Sequence, residues 1–517
     1  MSDHCRWRCL TVSACLLAAP CVGPLSASAQ ATRTAVQGLT LEDVLTTTLR
    51  DSPTILLAAR QVDAQRGALL AAGDLFDVKT QTSFLSSRVN GLTPDAGGNP
   101  FWLATNQTQY DVSAQKQLRN GLVISPNFGV TKTTLPGLPV PPTGQSTVRL
   151  NVLVPLLRDR GGVVTGASER AADHAYGASV FETRHVTAQA IVSAAVAYWD
   201  YLSAIKRQAV LAESEARAAR LADDTRRLVE AGERAMADLT QVQANFAAKR
   251  VSRISAEQAV VDARVNLGLQ MGIGPTETAA LPLASTEFPA VVDEEGLAMI
   301  GTSQLVDEAL ARRPDLLATQ KSIEAANLLL AAARDNLKPR VDLIGSAGYE
   351  GLQVGDGLTS LLAPIYRNVP GPDASVQVRY QWAASNAGAR GRLLQSASNY
   401  DQERLAQTEL RRQISTGVYR ASEAIGRAAA GVRASHEAVT LYEAVVRSEQ
   451  RKFQLGVSTL FDTIQATDGL TVVMLSEIAS AREYAASVAM LRFQTASLLT
   501  TDRRGTVVDV DRLLDPR

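Results

Sequence analysis

RLVEAGERAMADLTQVQA, residues 227–244, is answered in the second half of the chain by KFQLGVSTLFDTIQA, residues 452–466. Gly232 aligns with Gly456, Asp238 with Asp462 and Gln241 with Gln465. Each glycine interrupts a long helical pattern that resumes at once. A glycine is the residue best suited to close a helix in the left-handed conformation. An Asp near the start of the returning helix faces its exposed amides and the positive end of its dipole. Both blocks therefore predict a helix–turn–helix tip.

A second block precedes each tip. LRDSPTILLAARQVDAQRGALLAAGDLFDV starts at Leu49, and LARRPDLLATQKSIEAANLLLAAARDNLKP starts at Leu310. Pro53 matches Pro314, Ala64 matches Ala325 and Asp74 matches Asp335. In both, a short helix stops near a proline and a second helix follows. Two blocks repeated in the same order make the chain an internal duplication.

Between the blocks the period changes. LFDVKTQTSFLSSRV after Asp74 mixes β-branched and aromatic residues with polar ones, and 107–118, 122–132 and 147–157 have the same texture. The second half offers 340–351 and 374–384. These alternate, imperfectly, as strands with one lipid face and one wet face would. Loops are expected at 90–100, 135–144 and 351–372, and Asn120-Gly121 marks a tight turn.

From Val163 to Ala231 there is no proline. Ile191, Ala195, Tyr198, Leu202, Ile205 and Ala209 step by three and four, as do Ile414, Val418, Ala421, Ile425, Ala428 and Val432. Each set forms one stripe on a helix. A helix that long reaches roughly 100 Å, a length that suits a coiled coil or a tall helical barrel. Pro275, Pro282 and Pro289 mark a connector between the halves. The expected units are a signal segment 1–29, a first repeat 30–271, the connector 272–300, a second repeat 301–500 and a tail 501–517.

The start carries Arg6 and Arg8, an apolar run from Leu10 to Ala19 and the small residues Ala27-Ser28-Ala29. That is the pattern of a secretory signal cleaved after Ala29. Lipidation at Cys21 is the weaker reading, because Pro20 directly precedes it. All four cysteines, at positions 5, 9, 15 and 21, fall in this segment, so the mature chain is expected to lack thiols and disulfides. Lys+Arg and Asp+Glu both number 52, so charge gives no reason to expect nucleic acid. Aromatics are only 5% of the residues, a bias that suits close-packed helices. His174, His185 and His436 have no metal-ligand spacing, and GIGP at Gly272 lacks the lysine of a phosphate loop. No catalytic residue, cofactor or metal is expected.

Signal, duplication, strand pairs flanked by long helices and paired glycine tips together resemble the TolC-like outer-membrane efflux family over about 39–499. The resemblance implies a mainly α fold with a transmembrane β-barrel part. Three copies would share one β-barrel and one long α-helical coiled-coil barrel. It implies a homotrimer in outer-membrane lipid, extending into the periplasm, docked at its helical end by a periplasmic adaptor and an inner-membrane transporter. On that reading Gly232, Asp238, Gly456 and Asp462 form the periplasmic tip. The tunnel gate is expected at Phe453, three residues before the glycine, with Asp462 as first acid and Gln465 where a second acid occurs in the family. Ser458 stands where a basic residue is often found. VPLLRDRGG from Val154 is close to the family's strand-to-helix junction, and QWAASNAGARG from Gln381 is further from it. The first half has four strand-like segments where the family has two, so 107–132 is either part of the barrel or an outer flap. The main expectation is an exit duct for small molecules. The alternatives are a duct for type I protein secretion and a non-pore periplasmic coiled coil.

Overall fold

In the computed structural model, residues 38–95, 97–292, 301–357, 362–365, 371–502, 505–508 and 510–514 are described. The expected signal segment and part of the connector lie outside these residues.

The first half begins with α1 (Leu41–Asp51) and α2 (Pro53–Gly73). Four strands follow: β1 (Val78–Pro94), β2 (Pro100–Gln117), β3 (Val123–Thr134) and β4 (Thr143–Pro155). A long hairpin of α3 (Ala167–Glu230) and α4 (Met236–Met271) then closes the half. After the short α5 (Pro275–Ala279) the second half repeats the order. It has α6 (Thr302–Arg312), α7 (Pro314–Asp335), β5 (Arg340–Val354) and β6 (Pro372–Gln381), then α8 (Ala387–Gln454) and α9 (Leu460–Gln494). The tail adds the small hairpin β7 (Leu499–Asp502) and β8 (Gly505–Val508) and one turn, α10 (Asp511–Leu514).

The duplication is visible in backbone angles. Proline disfavours the α conformation in the residue before it. Ser52 (φ −61°, ψ 120°) and Arg313 (φ −62°, ψ 123°) accordingly turn extended between their helix pairs in the same way. Pro53 and Pro314 each open the next helix, where a missing N–H costs nothing.

The two long helices have 64 and 68 residues, roughly 100 Å at 1.5 Å per residue. Helix α3 starts after Gly166 rather than at Val163, because a short turn at 162–165 comes first. Helix α3 packs on α4, α2, α7 and α9, and α8 packs on α9, α7 and α6. The largest core cluster lies midway along α3. There Ile191, Tyr198, Trp199 and Leu202 meet Leu41 and Leu45 of α1, Leu267 of α4 and Ala485 of α9. The predicted stripe is buried from Ile191 to Leu202, but Ala209 is exposed beyond that cluster. In α8 the stripe is buried at Ile414, Val418, Ala421 and Ile425.

The connector is pinned by tyrosines from both hairpins. Tyr198 Oη donates to Leu39 O (3.0 Å) and accepts from Thr286 N–H (2.8 Å). Tyr484 Oη accepts from Val292 N–H (3.2 Å) and donates to Ala290 O (3.3 Å). Burial pushes the Tyr198 phenol above its ordinary value, so it stays a neutral donor there.

The six strands form one antiparallel sheet in chain order, β1-β2-β3-β4-β5-β6. Strand β1 runs on to Pro94 and β2 begins at Pro100, so the loop expected at 90–100 is shorter. Strand β6 ends at Gln381, three residues before the expected Ala384. Among the described residues the halves thus match in their helices but not in the strands they give to this sheet, four against two. Among the described residues no helix is long and apolar enough to cross a membrane.

Candidate functional site

The two tips are residues 231–235 and 455–459, at the far ends of the helical hairpins. Gly232 (φ 78°) and Gly456 (φ 76°) are both left-handed. At the first, Glu233 N–H donates to Leu228 O (2.8 Å) and Gly232 N–H to Val229 O (3.0 Å). At the second, Val457 N–H donates to Lys452 O (3.0 Å) and Gly456 N–H to Phe453 O (3.1 Å). This pair of bonds satisfies the last helix carbonyls with the glycine as pivot.

The returning helices start differently. Thr459 caps α9, its Oγ1 accepting from Asp462 N–H (3.2 Å), while Thr459 N–H (3.1 Å) and Oγ1–H (2.6 Å) donate to Asp462 Oδ2. That is a closed capping box. The Thr459 hydroxyl, then the Thr459 amide, hold the Asp462 carboxyl below its ordinary value. Ala235 occupies the matching place before α4 and has no side-chain acceptor, so Asp238 has no cap partner. Asp238 is instead 3.7 Å from Arg234, whose guanidinium lies 5.1 Å from the Phe453 ring centre.

The expected gate residues do not come together. Asp462 and Gln465 line one side of an open cleft of about 460 Å³ with Glu449, Lys452 and Ser458. Phe453 lies on the other side, packed against a cluster of Ala222, Leu239, Val242, Leu460 and Ile464 between the two hairpins. It borders a different cleft, of about 370 Å³, which includes Arg217, Asp224, Lys249 and Asp468.

Sequence reasoning missed Glu449. Lys452 Nζ (2.7 Å) and Ser458 Oγ (2.9 Å) both donate to its carboxylate. Lys452 first, then Ser458, holds it below its ordinary value. The spacing of Glu449 and Lys452 in the last turn was a usable signal. Bonds between side chains tie the hairpins together above the tips: Arg482 Nε to Asp200 Oδ1 (2.6 Å), Lys249 Nζ to Asp468 Oδ1 (2.7 Å), Arg217 Nη2 to Thr471 Oγ1 (3.3 Å) and Thr471 Oγ1 to Ser214 Oγ (3.2 Å). His174, His185 and His436 each sit beside one carboxylate, of Glu324, Asp315 and Glu477.

Known proteins share this architecture. The outer-membrane channel OprN aligns with a TM-score of 0.66 and 16% identity, over 88% of this chain and 89% of its own. The Campylobacter jejuni CmeC outer membrane channel gives 0.66 and 15%, over 88% and 85%. The outer membrane protein VceC of Vibrio cholerae gives 0.64 and 15%, over 88% and 95%. At such identities the likeness is one of fold. No curated protein matches the sequence itself. The model of the outer membrane efflux protein family, however, matches residues 107–272 and 305–496, well over half of the chain. That family consists of channels rather than enzymes, and its match sets aside the reading as a non-pore coiled coil. The chain belongs to the outer membrane efflux protein family.

Proposed function

We propose that three copies of this chain form an exit duct through the outer membrane and the periplasm. The duct passes small molecules handed on by a periplasmic adaptor and an inner-membrane transporter. The observation that carries this reading is the polarity of the molecule along its length. A strand sheet stands at one end of helices roughly 100 Å long, and paired glycine tips stand at the other. One copy leaves apolar side chains on the outside of its helices, among them Val251, Leu269, Leu405 and Val472, each at least 65% exposed. Patches of that kind mark contact surfaces, and neighbouring copies would cover them.

In this duct Gly232, Asp238, Gly456 and Asp462 mark the adaptor-docking tip, and Asp462 and Gln465 face the narrowing. No cofactor is needed, since the transporter supplies the energy. The test is native mass spectrometry of the detergent-purified protein, followed by planar-bilayer recording. A three-copy mass and discrete ion-conducting steps are expected. A single-copy mass, or a trimer that never conducts, would sink the proposal.

A further inference from the structure

The hairpin of β2 and β3 is the feature that the duplication does not account for, since among the described residues the second half supplies two strands to the sheet. Three observations place it in the wall of the barrel. The first is pairing. β2 and β3 stand between β1 and β4 in one continuous ladder, whereas a flap lying outside the wall would leave β1 beside β4.

The second is the polarity of the two faces. Successive residues of a strand point to opposite faces, so a row of paired residues across the sheet stays on one face. One such row runs Thr82, Val112, Phe128, Val148, Tyr349 and Pro372. The row beside it, on the other face, runs Gln81, Ser113, Asn127, Arg149, Gly348 and Asp373. Apolar-out and polar-in alternation is what a lipid-spanning strand requires, and β2 and β3 keep it in phase with the other four strands. Phe84 and Tyr110 continue the apolar face and lie 61% and 51% exposed in the single copy.

The third is anchorage. The turn at 118–122 that joins β2 to β3 sits between the two junctions of the first half. Arg119 lies over the Phe76 ring, just after α2, and forks onto Glu169 in the first turn of α3 (2.5 and 2.8 Å). Gly161 N–H donates to Asn120 O (3.2 Å). A Cβ on Gly121 would come 2.4 Å from Asp159 O, so the turn is seated closely against the strand-to-helix junction.

We propose that every copy contributes all six strands to the membrane wall, so that three copies close a barrel of eighteen, with β1 of one copy hydrogen-bonded to β6 of the next. The number three rests on the trimeric duct proposed above, and the six strands rest on this sheet. Strand β1 rises from α2 and β6 descends into α8, so their pairing is antiparallel and continues the order of the sheet. Closure also removes the two open edges, whose unpaired N–H and C=O groups lipid cannot satisfy. Barrels of sixteen to eighteen strands enclose an aqueous channel. The outer end of this duct is therefore wide and weakly selective, and discrimination belongs to the helical end.

Paired cysteines in the full chain test the wall. Thr82→Cys in β1 is combined with Val376→Cys or, as a second register, Val378→Cys in β6, and the same two β6 positions are combined with Phe128→Cys in β3. Cys5, Cys9, Cys15 and Cys21 are the chain's own, so the unsubstituted protein supplies the background. Copper-phenanthroline oxidation in membranes should give dimer and trimer bands for a β1–β6 combination and none for β3–β6. A β3–β6 cross-link without β1–β6 would put β1 and β2 outside the wall and overturn the proposal. An independent readout uses Tyr110→Cys, labelled with a fluorophore in lipid vesicles. A lipid-borne quencher should quench it strongly, while quenching only from water would also overturn the proposal. If native mass shows one copy alone, the duct reading fails first and the eighteen-stranded wall falls with it. A trimeric mass with a β3–β6 cross-link sinks only the wall.

Discussion

The two tips share a backbone and differ in chemistry. Gly232 and Gly456 have φ angles within two degrees of each other and the same pair of closing hydrogen bonds. Beyond that they part. The tip at 455–459 is held from within, by the Thr459–Asp462 box and by Glu449 with Lys452 and Ser458. The tip at 231–235 has Ala235 where the cap would be, and its Arg234 reaches over Phe453 in the last turn of α8. A turn between two helices needs its glycine whatever else the site does, whereas its polar side chains can be reassigned. Duplication has kept the hinge twice and the self-contained cap once.

The largest effect should come from attacking what the tips share. Gly232→Val and Gly456→Val each force a β-branched residue into the left-handed region, at a cost of about 1–2 kcal/mol or more. Nothing lies within 4 Å of a Cβ at either glycine, so the cost is one of backbone conformation rather than of collision. Thermal unfolding of the purified protein, followed by circular dichroism, should show similar losses at the two sites. A loss at one tip only would break the equivalence of the two backbones.

A smaller effect should follow from exchanging what the tips do not share. Thr459→Ala removes the cap hydroxyl and should cost about 1 kcal/mol. Ala235→Thr installs a hydroxyl three residues before Asp238, the spacing of a capping box, and should return part of that amount. The same unfolding measurement reads both. If Ala235→Thr leaves stability unchanged while Thr459→Ala lowers it, the Arg234–Asp238 pair already does the work of a cap, and the tips differ less than their side chains suggest.

How much of this was legible without the structure follows from the range of each contact. Gly232, Gly456 and the proline breaks at 53 and 314 act on their own backbone, so local sequence declared them. The strand segments declared themselves by alternation, and Asn120-Gly121 marked the turn that joins β2 to β3. The partners of those strands did not, because β4 meets β5 across nearly two hundred residues of chain. The side of the hairpin taken by Phe453 was likewise hidden. Its place three residues before the glycine is readable in the sequence, whereas the packing of its ring with Leu239 and Leu460 between the hairpins is not. Helical period gives a stripe but does not say which neighbour the stripe meets or where that neighbour ends, and Ala209 is exposed in the single copy.

The smallest and most discriminating change is Asp462→Asn. An amide keeps one acceptor oxygen for Thr459 and loses the charge, so the fold should survive with a modest drop in stability. The sign of its pH dependence is fixed by the direction of the carboxyl's shift. Within one copy the Thr459 hydroxyl and amide hold Asp462 below its ordinary value. Its contribution is therefore fully present above the ordinary carboxylate value of about 3.9. It fades as pH falls through the lowered folded value. The gap in melting temperature between native chain and variant should be open at neutral pH and close in strong acid. A ring of three such carboxylates at the tunnel mouth acts the other way, because like charges at close range raise a carboxyl's pKa. Conductance separates the two influences. If Asp462 lines the narrowing, the variant loses cation preference and divalent-ion block, and native conductance titrates above the ordinary carboxylate value. If both channels show the same selectivity and neither titrates there, Asp462 is a helix cap alone, and the tips differ in their capping without any difference in their gating.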